Sequence, residues 1–310
     1  MMSNQKQTYH VPALLKESVD GLNIKPDGTY VDVTFGGGGH SKEILKRLGP
    51  KGHLYAFDQD EDAVANKIDD PRFTLIEGNF ANLKNYLRLE GVKEIDGLLA
   101  DLGISSHQIN EPQRGFSTRF DEKLDMRMNQ SAKISAFDVV NKYDEYALRK
   151  IFSQYGDLKN AATLAKSIVK AREDGPIETT GRLNEIVSKH FPKLKLNKFL
   201  AKLYQALRIE VNGEIEALKK MLQQAAMIIK PGGRLSVISY HSLEDRLVKR
   251  FIRDGLFEGQ PEKDFYGHTK VPFKKVSKLI IPSTEEIEKN PRARSAKLRV
   301  AERTESPYNL

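Results

Sequence analysis

The sequence predicts an α/β fold, a largely parallel sheet flanked by helices, with an all-helical block set into it. Three observations predict this class. Apolar runs at 30–33, 52–58, 73–76 and 95–100 alternate with helical segments, as βαβ units require. The first run passes directly into Gly36-Gly37-Gly38-Gly39 and then into an amphipathic segment. The stretch 136–208 carries apolar stripes of helical period with no strand between them.

Taken in order, Tyr9-His10-Val11-Pro12 precedes an amphipathic segment, 13–22, that reads as a helix against the sheet edge. The run 30–33 is β-branched and aromatic, hence a strand. The four glycines after it strip side chains from the turn, so backbone can approach a ligand closely. Ile44, Leu45 and Leu48 share one helical face, and Gly49-Pro50 ends that helix. Strand, glycine turn and helix at this spacing form the first half of a nucleotide-cofactor site. The turn lacks the third glycine of G-x-G-x-x-G, because Ser41 stands there, and no Gly-Lys-Ser/Thr of a phosphate loop occurs. A cofactor with an amino acid and an adenosine but no phosphate suits it better.

The second strand ends on Asp58, about twenty residues past the turn, where a carboxylate accepts both ribose hydroxyls. Asp60-Glu61-Asp62 can cap the next helix without it, which leaves Asp58 for the ribose. Phe80, past the third strand, is a candidate to lie on an adenine, although an aromatic at a strand exit is more often core. The fourth strand, 95–100, is a nearly continuous apolar run ending in Asp101, at the edge where open α/β sheets bind ligands. From 107 to 128 the hydrophobic period vanishes, and apolar residues at intervals mark an ordered, functional loop.

Helices are expected at 144–155, 160–172, 181–191 and 197–211, giving a first part at 1–130, an inserted helical domain at 131–211 and a second part at 212–310. Lys193, Lys195, Lys198 and Lys202 make the insert partly basic, which a solvated helix face also explains. A helix over 214–229 leads to the turn Lys230-Pro231-Gly232-Gly233 and a fifth strand at 234–239. Ser242 and Asp245 are placed to cap the helix that follows. His241, at the strand end, is a candidate for substrate contact, although a lone histidine is more often structural. Near the C-terminus, 274–281 and 297–302 read as a hairpin around a helical turn at 285–289.

Of 310 residues, 39% are hydrophobic and 30% charged, which excludes a disordered chain and allows two domains or one enlarged domain. Fifty Lys+Arg against 42 Asp+Glu give a formal charge of +8, which favours a polyanionic partner. Cysteine is absent, which excludes disulfides and thiolate metal sites and fits a reducing cytosol. No His/Asp cluster has ligand spacing, so no metal is expected. With no apolar leader in 1–7 and no bilayer-length apolar run, a cytoplasmic protein is expected.

Six stretches in this order resemble one family. They are Asp32-x-Thr34-x-Gly36-x-Gly38-Gly39-His40-Ser41, Asp101-Leu102-Gly103-Ile104-Ser105-Ser106-x-Gln108, Arg114-Gly115-Phe116-Ser117, Leu124-Asp125-Met126-Arg127-Met128, Tyr240-His241-Ser242-Leu243-Glu244-Asp245-Arg246 and Asn290-Pro291-Arg292-Ala293-Arg294-Ser295-Ala296-Lys297-Leu298-Arg299. The chain is similar over almost its whole length to the MraW family, the bacterial 16S ribosomal RNA cytosine-1402 N4-methyltransferases. His107 departs from the proline frequent there, which alters the loop path and not the chemistry. The resemblance implies a class I, Rossmann-like methyltransferase sheet with an inserted helical domain and S-adenosyl-L-methionine as cofactor. By the same resemblance Gly38, Gly39 and His40 contact the methionine end, Asp58 the ribose, Phe80 the adenine, and Asp101 and Gln108 complete the site. The implied partner is 16S rRNA in the small subunit or its precursor, with neither DNA nor membrane.

For the chemistry, Asp101 is the candidate to accept a proton from the weakly nucleophilic cytosine amine, with backbone carbonyls as alternatives. A rival assignment keeps Asp101 on the cofactor and gives Tyr240 or His241 the base. Arg114, Arg127, Arg292 and Arg294 are candidates for phosphate contacts. Two other classes share parts of the pattern. A nicotinamide-dependent dehydrogenase shares Asp58 but lacks the third glycine, and an RNA-binding assembly protein has no need of Asp58, Phe80 and Asp101 at successive strand ends.

Overall fold

Alternating short strands and amphipathic helices bring the first hundred residues to one sheet. The computed structural model describes residues 12–261, 265–266 and 269–308, so the Tyr9-His10-Val11 motif lies outside the described residues. The order is α1 (Leu15–Gly21), β1 (Thr29–Asp32), α2 (Gly39–Arg47), β2 (His53–Asp58), the single turn α3 (Glu61–Val64), β3 (Phe73–Glu77), α4 (Leu83–Leu89) and β4 (Ile95–Asp101). Six helices follow without a named strand: α5 (Ser106–Asn110), α6 (Ala136–Lys142), α7 (Glu145–Gln154), α8 (Ala161–Ala171), α9 (Thr180–Ser188) and α10 (Leu196–Asn212). Then come α11 (Glu214–Ile228), β5 (Ile229–Ser239), α12 (Ser242–Asp254), β6 (Phe273–Lys275), α13 (Thr284–Lys289) and β7 (Lys297–Arg303). The chain forms two compact units, Met1–Gly103 with Glu216–Leu310, and Ile104–Ile215.

In the first unit seven strands run in the order β3-β2-β1-β4-β5-β7-β6. The first five are parallel, and β7 lies antiparallel between β5 and β6. This is the Rossmann-like sheet that the resemblance implies. Strand order reverses between β1 and β4, so the connections leaving them depart to opposite faces and open a crevice at their carboxyl ends. Side-chain alternation divides the core between those faces. Val31, Leu98 and Ala100 pack with Leu222 of α11 and Phe251 of α12, whereas Tyr30, Leu54 and Leu99 pack with Val19 of α1 and Ile44 of α2.

Two strands differ from expectation. Ile229 already pairs with Ile95, after which Lys230-Pro231-Gly232-Gly233 bulges out before pairing resumes at Arg234 with Gly97. Gly232, at φ +79°, takes the left-handed turn there. The strand expected at 274–281 shrinks to Phe273–Lys275, and beyond Val276 only Ile280 rejoins β7, opposite Leu298.

The second unit begins at Ile104, well before the expected 131. Phe116, Leu124, Met126 and Met128 of the aperiodic stretch are buried with Val139, Phe152, Leu164 and Leu203 of the helices. Backbone bonds fix the stretch: Leu124 N–H donates to Glu178 O at 3.1 Å and Met126 N–H to Arg114 O at 3.0 Å. Asn212, at the end of α10, donates to Met126 O at 2.8 Å and accepts from Met128 N at 2.7 Å. No described helix is long and apolar enough to cross a membrane.

Candidate active site

Four neighbouring strands, β3, β2, β1 and β4, each end on a carboxylate: Glu77, Asp58, Asp32 and Asp101. No lysine or arginine lies within three residues of any of them. The glycine turn crosses this row. Phe35 N–H donates to Phe57 O at 2.9 Å, tying the turn to β2, and Gly38 caps α2 at φ +75°. A Cβ on Gly39 would collide with the Pro12 ring, so Pro12 and the start of α2 fit only with glycine there.

Asp32 is completely buried and holds the turn from beneath. Its Oδ2 accepts from Ser41 Oγ at 2.7 Å and its Oδ1 from Thr34 N at 3.1 Å. Desolvation raises its pKa, against the hydrogen bonds from Ser41 and Thr34. Thr34 Oγ1 also accepts the Asp101 N–H at 2.6 Å, so one hydroxyl links the ends of β1 and β4.

Asp58 braces the turn from the side. Its Oδ2 accepts from Gly36 N at 2.8 Å and its Oδ1 from Asp60 N at 2.9 Å. Asp60 itself caps α3, as the sequence predicts. Burial lifts the Asp58 carboxyl to about 6, with the two backbone donors opposing and the Asp60 and Asp32 carboxylates adding to the rise. Each oxygen uses one lone pair on backbone and keeps another for a hydroxyl. Phe80 opens a 3₁₀ turn after β3, half-buried against the core, and neighbouring Asn79 donates to Gln59 Oε1 at 2.7 Å.

At the tip of β4, Tyr240 Oη donates to Asp101 Oδ1 at 2.8 Å. His40 Nδ1 lies 3.9 Å from the other oxygen. Desolvation drives the Asp101 carboxyl up to about 7; Tyr240 pulls it down, and the Asp32 and Glu244 carboxylates push it further up. Burial lowers His40 to about 4, against a backbone bond with Ala13, so its ring is neutral at pH 7. The nearby Asp101 carboxyl therefore meets no imidazolium. His40 Nε2 is buried with no hydrogen-bond partner among the described residues. The Tyr240 hydroxyl, raised far above its ordinary value by burial and then by Asp101, keeps its proton.

His241 has a structural role just past the end of β5. It is the N-cap of α12, one residue before the expected Ser242, and its Nδ1 accepts from Glu244 N at 3.4 Å. Glu244 Oε2 accepts in return from Tyr240 N at 3.0 Å and His241 N at 3.4 Å. The ring belongs to a capping box, and Tyr240 is the residue of this pair that reaches the carboxylate row. Asp245, the other expected cap, instead takes Arg299 Nε at 2.7 Å.

In the second unit three candidates have structural roles. Gln108 completes the capping box of α5 with Ser105. Arg114 is buried and donates to the Arg127 and Met128 carbonyls, both at 3.0 Å. Arg127 grips Asp125 through two nitrogens, at 2.9 and 2.7 Å, and Ala132 O at 2.9 Å. Both guanidiniums brace the 114–132 stretch. In the first unit Arg294 is exposed and Arg292 half-buried, both on the 3₁₀ turn Pro291–Ser295.

Sequence reasoning missed Asp32, Thr34, Ser41 and Glu244 as members of this assembly. A partial signal was present for the first: an acid stands at or next to the end of each of four successive predicted strands.

The profile of the MraW methylase family matches residues 7–304. A relative from Christiangramia forsetii, described as ribosomal RNA small subunit methyltransferase H, is 68% identical over 94% of this chain and 97% of its own length. Proteins of the same description from Flavobacterium johnsoniae and Bacteroides fragilis are 63% and 57% identical, over 95% and 97% of this chain and 98% and 100% of theirs.

Proposed function

From a chain that belongs to the MraW methylase family, we infer an S-adenosylmethionine-dependent methyltransferase acting on the exocyclic N4 of a cytosine, position 1402, in 16S ribosomal RNA. The observation that carries this reading is the carboxylate row around the bare glycine turn. Acidic tips repel the phosphates of a dinucleotide and attract a cofactor with cationic sulfur and ammonium groups.

The residues fit that cofactor. Asp58 has lone pairs for two ribose hydroxyls, Phe80 offers an apolar face for adenine, and the Gly38-Gly39-His40 start of α2 meets the amino-acid end. When bound, the cofactor supplies an electrophilic methyl carbon, and in-line displacement asks the protein mainly for positioning. The cytosine amine is a poor nucleophile because its lone pair is delocalised into the ring. Asp101 Oδ2, opposite the oxygen engaged by Tyr240, would accept the amine hydrogen bond and then its proton, as the methyl leaves sulfur (released as a neutral thioether) for nitrogen. A carboxyl titrating at about 7 suits that task, since its ionised and protonated forms are both populated at neutral pH. Neutral His40 packs against this carboxyl without fixing its charge. The target base must leave its stack to reach Asp101.

The substrate form in this reading is RNA of the small subunit or its precursor, not DNA, and the compartment is the cytoplasm, where that RNA is found. The test is transfer of labelled methyl to small-subunit particles, with the modified base mapped, alongside calorimetry with S-adenosylmethionine and with NAD. Label on a 16S cytosine N4 supports the reading. NAD binding alone, or label on protein or DNA, overturns it.

A further inference from the structure

Several exposed lysines in this protein sit beside an acid one helical turn away. Lys46 pairs with Glu43 at 3.2 Å, Lys142 with Asp138 at 2.6 Å, Lys219 with Glu216 at 2.8 Å and Lys289 with Glu285 at 2.6 Å. The turn between α9 and α10 differs from these in composition. Between Glu185 and Glu210 the chain has no acidic residue, yet it carries Lys189, Lys193, Lys195, Lys198, Lys202 and Arg208. Lys202 pairs with Asp157 at 3.0 Å and Arg208 with Glu214 at 2.8 Å. Lys189, Lys193, Lys195 and Lys198 are exposed, with no carboxylate within ion-pair distance among the described residues.

The turn is held firmly. Phe191 stacks on Phe199 with ring centroids 4.3 Å apart and planes 13° from parallel, joining its two ends. His190 Nε2 lies 2.7 Å from Ser167 Oγ, and Lys195 N–H donates to Pro192 O at 2.9 Å. At its apex Leu194 is 101% exposed between Lys193 and Lys195. Nothing in the helical core accounts for a leucine fully in water, whereas an apolar tip among cations fits against a ribose or base edge.

We propose that the α9–α10 turn is a docking surface for the phosphate backbone of the RNA substrate, with Lys193, Lys195 and Lys198 as phosphate contacts and Leu194 as the apolar contact. This rests on the methyltransferase reading above and adds where the RNA is gripped away from the reacting base. Contacts of this kind set affinity and its salt dependence and leave the chemical step unchanged. A preorganised turn loses little conformational freedom when it docks.

The test uses the full-length protein with Lys193, Lys195 and Lys198 all changed to alanine. Its control carries Lys46→Ala, Lys142→Ala and Lys289→Ala, which alters net charge equally. Methyl transfer to small-subunit particles is followed across a salt series, with cofactor affinity measured separately. The turn variant is expected to raise KM about tenfold at near-physiological salt and to flatten the salt dependence by roughly two to three contacts, at unchanged kcat and cofactor affinity. Photo-crosslinks from a probe at position 194 are expected on 16S RNA. Equal KM and salt slope in wild type and turn variant, an equal effect in the control, or crosslinks confined to ribosomal protein would overturn the proposal. Failure of the wild type itself to methylate the RNA would instead overturn the methyltransferase reading.

Discussion

Replacing Asp101 by asparagine separates the stability of this site from its chemistry. Asparagine keeps an oxygen for the Tyr240 hydroxyl and removes the charge. In the wild type, desolvation holds the carboxyl at about 7, while the unfolded chain releases that proton near the ordinary 3.8. The native state thus keeps a proton that the unfolded state loses, so this group's contribution to stability is full below 3.8 and is lost as pH rises to about 7. Between pH 5 and pH 8 the wild type forfeits about 2–3 kcal/mol through Asp101, at about 1.4 kcal/mol for each pH unit up to the native value. The asparagine variant forfeits nothing, so urea denaturation at the two pH values should show it gaining on the wild type by that amount at the higher pH. The same variant should transfer methyl some 10²–10⁴-fold more slowly, having lost its proton acceptor. A stability difference independent of pH would refute the desolvation argument. Undiminished transfer would remove Asp101 from the proton path.

Other perturbations test the neighbours. Tyr240→Phe deletes the hydrogen bond that favours the ionised carboxylate, and the acid limb of the pH–rate profile should move up by about one pH unit; an unmoved limb would detach Tyr240 from Asp101. Asp58→Ala should weaken S-adenosylmethionine binding roughly 100-fold in calorimetry by removing charged hydrogen bonds to the ribose, and wild-type affinity would exclude that contact. Gly39→Ala improves helix propensity yet drives a methyl into Pro12, so a net loss of about 1–3 kcal/mol in chemical denaturation is expected, and a gain would show that Pro12 yields. Arg114→Ala should destabilise by about 2–4 kcal/mol, with lysine a poor replacement because one ammonium cannot reproduce the planar fork; a raised KM at unchanged stability would return Arg114 to the phosphates.

The strands of the sheet were legible because each is an apolar run bounded by an acid or a glycine turn, and Asp58 and Asp101 were legible because they close such runs. Asp32 was not, since the expected run 30–33 carries on past it to Val33, and its place is seen only once Ser41 and Thr34 close over it at the strand's end. The exchange of roles between His241 and Ser242 was hidden because both can cap a helix, and only the return bonds from Glu244 decide between them. Arg114 and Arg127 read as surface cations because sequence records their charge and not the carbonyls of their own loop that they bind. The early start of the second unit was obscured by the missing period in 107–128, where Phe116, Leu124 and Met126 are buried from irregular backbone.

Threading β7 between β5 and β6 has a consequence for biosynthesis. The strand that occupies the middle of that edge is translated after both of its neighbours, β5 and β6. Until Lys297–Arg303 leaves the exit tunnel, β5 presents an open ladder of amides and carbonyls, whereas the contiguous 104–215 unit has its whole chain available and can mature first. Arg303 then latches the arrangement, donating to Ala226 O at 2.6 Å and Ser306 O at 2.8 Å. A chain stopped just ahead of this strand would be left with an unpaired, aggregation-prone margin along β5.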